Sequence, residues 1–216
     1  LDMVKEIRNS RHKKLYEQYL IILRQDPSFS MQMKQGQEAS GLKHVTTFVF
    51  CPTNEMPFWK LCTIGASDYM MPKRNIGCGR LANRRNEYIM FVSPQVEISQ
   101  SSVEWLKLNA LLWHIADYAY TEKEDVTVSD TFDVSFNEKY CGAVLLLPEL
   151  LDSSSSVKCY ISKNKFVSIF QVMPVTKEMM DEKQRRGQEG TYWLMEQFYT
   201  HDDDYKIVSS NALATL

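Results

Sequence analysis

A run of aromatic and β-forming residues, Phe58-Trp59-Lys60-Leu61-Cys62-Thr63-Ile64, stops at Gly65, and Ala66-Ser67-Asp68-Tyr69-Met70 follows at once. That order leaves room for little except a strand ending in a sharp turn, with a hydroxyl and a carboxylate delivered to the strand end. Ser and Asp bond readily to nearby backbone N–H groups, so one reading of Ser67 and Asp68 is a structural corner. The other is a contact surface, in which the Asp68 charge is ringed by Tyr69 and Met70 as in a protein interface.

The surrounding patterns predict an α+β fold. Val4, Ile7, Leu15, Tyr19, Ile22 and Leu23 share a helical face over residues 3–25, which Asp26-Pro27 ends; residues 28–43 read as a polar loop. Val45 to Phe50 and Phe58 to Ile64 form a hairpin across the Pro-bounded segment 51–57, and Glu87 to Ser93 is a third strand. Ser101-Ser102-Val103-Glu104 offers a capping box with Ser101 as N-cap. Trp105, Leu108, Leu112, Ile115 and Ala119 then recur at three and four residues, so this helix must bury one face. Four more β-like runs follow, at Thr131 to Phe136, Gly142 to Leu147, Val157 to Ser162 and Phe166 to Met173, with a tight turn at Asn164. Two helices close the pattern, Thr176 to Gln184 and Thr191 to Tyr199. This is not strict βαβ alternation; it predicts a mixed, mostly antiparallel sheet flanked by helices. The expected layout is an N-terminal helix and loop over 1–43, one domain over 44–200 and a solvated tail over 201–216. Trp59 and Trp105 are both expected in the core.

Composition narrows the function classes. Twenty-five Lys and Arg face 27 Asp and Glu, so no bulk charge recruits nucleic acid or an anionic membrane. The two basic clusters, Arg11-His12-Lys13-Lys14 and Arg80 to Arg85, read as a solvated helix end and a loop. Five cysteines without a Cys-x-x-Cys pair suit reduced thiols and a cytoplasmic protein. Four separated histidines write no zinc spacing, and no cofactor motif is present; Gly77-Cys78-Gly79 lacks the third glycine of a dinucleotide fingerprint. No apolar run approaches a membrane span, and the first residues lack the apolar core of a signal peptide.

Catalysis has weak support. A nucleophile elbow around Ser67 needs a second glycine where Tyr69 stands, and a triad needs a base the sequence does not supply. His114 is borne on a helix, and His201 with Asp202-Asp203-Asp204 cannot converge on one ion without a fold-back. The abundance of Tyr, Trp and Met suits an adaptable protein interface instead, with Tyr69-Met70-Met71-Pro72 either exposed contact area or core filling.

These motifs together resemble the Suppressor of fused domain. Trp59 and Gly65-Ala66-Ser67-Asp68 stand where that family has its Trp strand and Gly-x-Ser-Asp. Glu87 to Val92 resembles its Glu-led strand, Trp105 to Tyr118 its central helix, and Ile169 to Glu178 with Gly190 to Phe198 its late strand and terminal helices. The resemblance implies a non-catalytic binder of partner proteins. Animal members carry a second, C-terminal domain and grip a transcription-factor peptide between the two; single-domain relatives are bacterial, and many resemble immunity proteins that neutralise a neighbouring toxin. An immunity protein holding a toxin domain is thus the implied function. A hydrolase with a pocket at Ser67-Asp68, or a regulatory binder unrelated to toxins, are the alternatives.

Overall fold

Asn9 starts the first helix. Its side chain accepts the His12 N–H at 2.9 Å, and α1 (Ser10–Leu23) buries His12, Leu15, Tyr19 and Leu23 before Arg24 closes it in the left-handed region. The computed structural model describes residues 7–32, 44–72, 84–134, 139–151, 158–202 and 206–209. Within these, α1 begins later than the apolar spacing predicts: Ile7 precedes the cap, and Val4 lies outside the described residues.

The segment expected to be a loop after α1 contains a strand. β1 (Phe29–Gln32) pairs antiparallel with β2 (Thr46–Phe50), Phe29 opposite Val49. Phe29-Ser30-Met31-Gln32 does alternate apolar and polar, but four residues are too short a run to stand out from a polar segment, and the edge of β2 makes them a strand. β2 and β3 (Trp59–Ile64) form the expected hairpin, with Phe48 opposite Cys62. Lys60, fully buried, ties down its turn by donating to the carbonyls of Cys51 at 2.6 Å and Met56 at 3.3 Å.

β4 (Asn86–Val92) continues the meander against β3. α2 (Val103–Glu122) follows, capped by Ser102 rather than Ser101. The Ser102 hydroxyl accepts from Trp105 N at 3.2 Å and donates to Glu97 O at 2.8 Å, a second bond that selects it and leaves Glu104 one position short of a capping box. Next come β5 (Thr131–Asp133), of whose expected run residues 135–136 lie outside the described residues, β6 (Tyr140–Leu146), β7 (Lys158–Ser162) and β8 (Lys165–Thr176). The sheet order is β1-β2-β3-β4-β8-β6-β5, with β7 also on β8. β4 and β8 are its parallel neighbours; the other strand pairs are antiparallel. β8 runs three residues past its expected end, through Pro174, which lies beyond its last pairing with β4 at Gln171, so the missing N–H costs no bond to that strand. α3 (Lys177–Arg185), capped by Thr176, and α4 (Gly190–Tyr199) complete the order. Gly190 has no room for a side chain, since a Cβ would stand 1.9 Å from Lys183 O.

Adjacent strand residues feed two cores. Val49, Leu61 and Met90 pack with Trp105, Leu112, Leu194 and Phe198 on one face. Phe48, Cys62 and Phe91 pack with Leu15, Tyr19 and Leu23 of α1 on the other. A sheet covered on both faces explains why its central strands read as unbroken apolar runs. Trp105 is fully buried; Trp59, expected beside it in the core, is only partly buried at the start of β3.

The segments outside 44–200 share this architecture. α1 and β1 supply one core face and one sheet edge. Beyond residue 200, Val208 bridges Val92, its N–H donating to Phe91 O at 2.9 Å. Lys206 is buried against Glu149 at 2.9 Å, so this stretch is packed rather than solvated.

Candidate functional site: the corner after the third strand

Gly65 makes the corner possible. It has φ +118°, and a Cβ there would lie 2.2 Å from His44 O. The chain then winds through one 3₁₀ turn, Ala66–Asp68, with Asp68 N donating to Gly65 O at 3.1 Å.

Glu87, the second residue of β4, holds the turn from inside. One carboxylate oxygen accepts Gly65 N at 2.9 Å and Ser67 N at 3.0 Å; the other accepts the Thr63 hydroxyl at 2.7 Å. Thr63 Oγ1 in turn accepts Tyr88 N at 2.8 Å. The carboxyl is wholly buried. Burial pushes its pKa up, against the polar contacts of Ser67, Thr63 and Gly65, and the net direction is upward.

Ser67 faces inward with 0% of its surface exposed. This corrects the expectation that its side chain forms contact surface: the turn spends its backbone N–H on Glu87, and that bond directs the residue into the protein. Its hydroxyl has no hydrogen bond of good geometry. The base missing from the sequence argument does arrive, since His12 Nε2 lies 3.0 Å from Asp68 Oδ1. It serves Asp68 and not Ser67, so nucleophile and base are not coupled.

Asp68 is tied down as well. Besides His12, its Oδ1 accepts Arg11 at 2.8 Å and Asn9 Nδ2 at 3.5 Å, fastening the first turn of α1 to the corner. Partial burial works against ionisation, but the His12 bond and charge, then Arg11 and Asn9, outweigh it and hold the carboxyl below its ordinary range. The free carboxylate of the interface reading is therefore already engaged within the chain.

Tyr69 is partly buried, its ring 5.3 Å edge-on from Tyr120, with Lys123 Nζ over both rings. Met70 is 50% exposed, whereas Met71 is a core residue. The Met pair thus divides between contact area and core filling. Arg11 and Arg85, from the two basic clusters treated as separate, both donate to Ser67 O, Arg11 at 3.0 Å. Sequence reading missed His12 and Arg11 as corner residues. The one available signal was the stripe His12-Leu15-Tyr19-Leu23, which puts a histidine at the end of a buried face.

A concavity of about 280 Å³ opens beside β5 and is lined by Tyr118, Glu124, Asp125, Asp130 and Lys183. Lys183 is engaged with Thr131 Oγ1 at 2.7 Å. Among the described residues no group of three or more His, Cys, Asp or Glu side chains is placed to hold a metal, and no helix is long and apolar enough to cross a membrane.

A two-faced mixed sheet whose signature turn is pinned from beneath by a buried glutamate defines an α+β domain with a structural joint where a nucleophile elbow would open. The chain belongs to the Suppressor of fused protein family, whose profile matches residues 41–204. Solved structures agree on the fold. The chain is similar to a chain of the Sufu–Fu complex, with 12% identity, TM-score 0.59, and 94% of this chain and 91% of that one covered. A Neisseria gonorrhoeae FA 1090 protein described as a Suppressor of fused homologue matches at 13% identity and TM-score 0.60, covering 86% of this chain and 87% of that one. Drosophila Suppressor of Fused matches at 12% identity and TM-score 0.59, over 95% of this chain but 51% of the larger protein. Comparison with curated protein sequences finds no match. The family is one that binds partner proteins.

Proposed function

We propose that this chain is a non-catalytic, cytoplasmic protein-binding domain that acts as an immunity protein, holding and neutralising a cognate bacterial toxin. The corner carries the reading: it seals the Ser67 hydroxyl from solvent, spends Glu87 and Asp68 on internal bonds, and leaves Met70 outward beside a half-buried Tyr69 as contact area. The fold is shared with a bacterial Suppressor of fused homologue over most of both chains.

The test is inhibition. If the reading holds, a toxin gene lies beside this chain's gene, and its product, purified and assayed for its own activity, should be silenced by a stoichiometric amount of this protein. A toxin unaffected by excess protein, with no complex by calorimetry, refutes the immunity role and leaves a regulatory binder. Labelling of Ser67 by a fluorophosphonate would overturn the non-catalytic reading altogether.

A further inference from the structure

On its β3 side β4 is paired to its end, Trp59 opposite Val92, but on its other side the pairing with β8 stops at Ile89 opposite Gln171. Residues 206–208 take up the backbone groups beyond that point. Val208 N donates to Phe91 O at 2.9 Å and Ser93 N donates to Val208 O at 2.8 Å, around a single parallel bridge between Val92 and Val208. From the β8 side, Gln171 Nε2 donates to Lys206 O at 2.6 Å. Successive side chains go to opposite faces, as in a strand: Val208, 1% exposed, joins the core that holds Trp105, and Ile207 packs on the core that holds Tyr19. Lys206 Nζ meets Glu149 at 2.9 Å and stands over the Tyr199 ring. The slot is thus complete in its chemistry, with a backbone acceptor and donor on β4, an amide on β8, an apolar seat on each face and a carboxylate for a cation. One bridge holds its occupant, where each named strand pairs along a ladder, and segments held by so few backbone bonds open locally well before the fold does.

We infer that the slot between β4 and β8 is a strand-acceptor site for the partner protein, and that residues 206–208 are its resident occupant, displaced when an extended partner segment of the order cation, aliphatic, valine enters parallel to β4. The resident segment defines that chemistry. Its cation answers Glu149, its isoleucine covers one face of the sheet, and its valine fills the buried seat beside Val92. Main-chain pairing gives such an addition its affinity, and the alternate side chains give its specificity. The slot lies at the opposite end of β4 from Glu87 and the corner, so a partner seated there leaves the corner's bonds untouched. The inference deepens the protein-binding reading and rests on it; the identity of any toxin does not enter.

The test uses the full chain and a fluorescein-labelled peptide, Tyr-Lys-Ile-Val-Ser-Ser, followed by polarisation and by amide NMR. Binding should shift the signals of Phe91, Ser93 and the Gln171 side-chain amide. Val208→Ser loosens the resident segment, so more of the protein stands open and the peptide should bind about tenfold more tightly than to the parent. Saturating peptide should also return the melting temperature of that variant toward the parent's. Aspartate in place of the peptide's valine should abolish binding, and glutamate in place of its lysine should weaken it roughly threefold, as like charge meets Glu149. Hydrogen exchange needs no variant: in the parent, the Ser93 and Val208 amides should exchange roughly tenfold or more faster than the slowest amides of β3. The inference is overturned if the peptide does not bind Val208→Ser, if the aspartate peptide binds as well, or if Ser93 and Val208 are as protected as β3. A parent dimer that the peptide splits also overturns it, by assigning the slot to a second copy of this chain. A toxin silenced by the parent and indifferent to excess peptide removes the slot and keeps the binding reading; peptide binding with no toxin inhibition removes the immunity role and keeps the slot.

Discussion

Replacing Glu87 by Ala removes, in one step, the acceptor for Gly65 N, Ser67 N and the Thr63 hydroxyl. The two backbone donors are buried, and each left unpaired costs about 1–3 kcal/mol. Thr63 suffers less, because its hydroxyl can turn to Tyr88 O, 3.3 Å away. Allowing for relief of a buried carboxyl, the net loss should be about 3–5 kcal/mol, or roughly 10 °C in melting temperature for a chain of this size. Gln is the informative comparison. Its amide oxygen can keep both N–H bonds, and its NH₂ can donate to Thr63 Oγ1 once Thr63 points to Tyr88 O, so Glu87→Gln should stay within about 1 kcal/mol at neutral pH. The pH dependence has a definite sign. The folded pKa is raised, so the folded state binds the proton more tightly than the unfolded one; the stabilisation is fully present below the unfolded value and is lost as pH rises through the folded value. Parent stability relative to Glu87→Gln should therefore increase as pH falls from neutral toward the ordinary glutamate range. Urea unfolding by tryptophan fluorescence across that range measures all three proteins. A Gln variant as damaged as Ala, or an Ala variant within 1 kcal/mol of the parent, would show that this carboxyl does not hold the corner.

Lys60 carries the opposite titration. Burial lowers its pKa from 10.5 to about 8, so the unfolded chain holds the proton more tightly between those values and parent stability should rise with pH across that window. Measured against Lys60→Met, the rise should approach about 3 kcal/mol; a flat difference from pH 8 to 10 would refute the burial argument. Trp105→Ala should cost roughly 3–5 kcal/mol and Trp59→Ala distinctly less, because only the first side chain is fully enclosed; equal losses in denaturant titrations would contradict the packing. Asp68→Asn keeps an acceptor but loses the charge facing Arg11 and His12, and at 35% side-chain exposure that is worth about 1 kcal/mol. Faster amide exchange in the first turn of α1 is the expected readout. The stabilisation by Asp68 is present above its unfolded pKa and fades as pH falls through its lowered folded value.

Much of this molecule was legible along the chain, because periodicity records burial and turn residues record backbone geometry. The stripe from Trp105 to Ala119, the hairpin through Phe48 and Leu61, the end of β3 at Gly65 and the helix after β8 are local statements, and they hold in the structure. What the sequence left open was which distant groups would meet. Nothing within a few residues of Asp68 announces that His12, 56 positions earlier, will sit against it, or that Arg11 and Arg85 will share Ser67 O. Nor does a glutamate opening a strand reveal that it will fold beneath a neighbouring turn and draw a serine inward. β1 has too few apolar residues to declare itself and becomes a strand because β2 offers it an edge. Those outcomes follow from packing α1 against one face of the sheet, where each polar group must take whatever partner the geometry brings within reach.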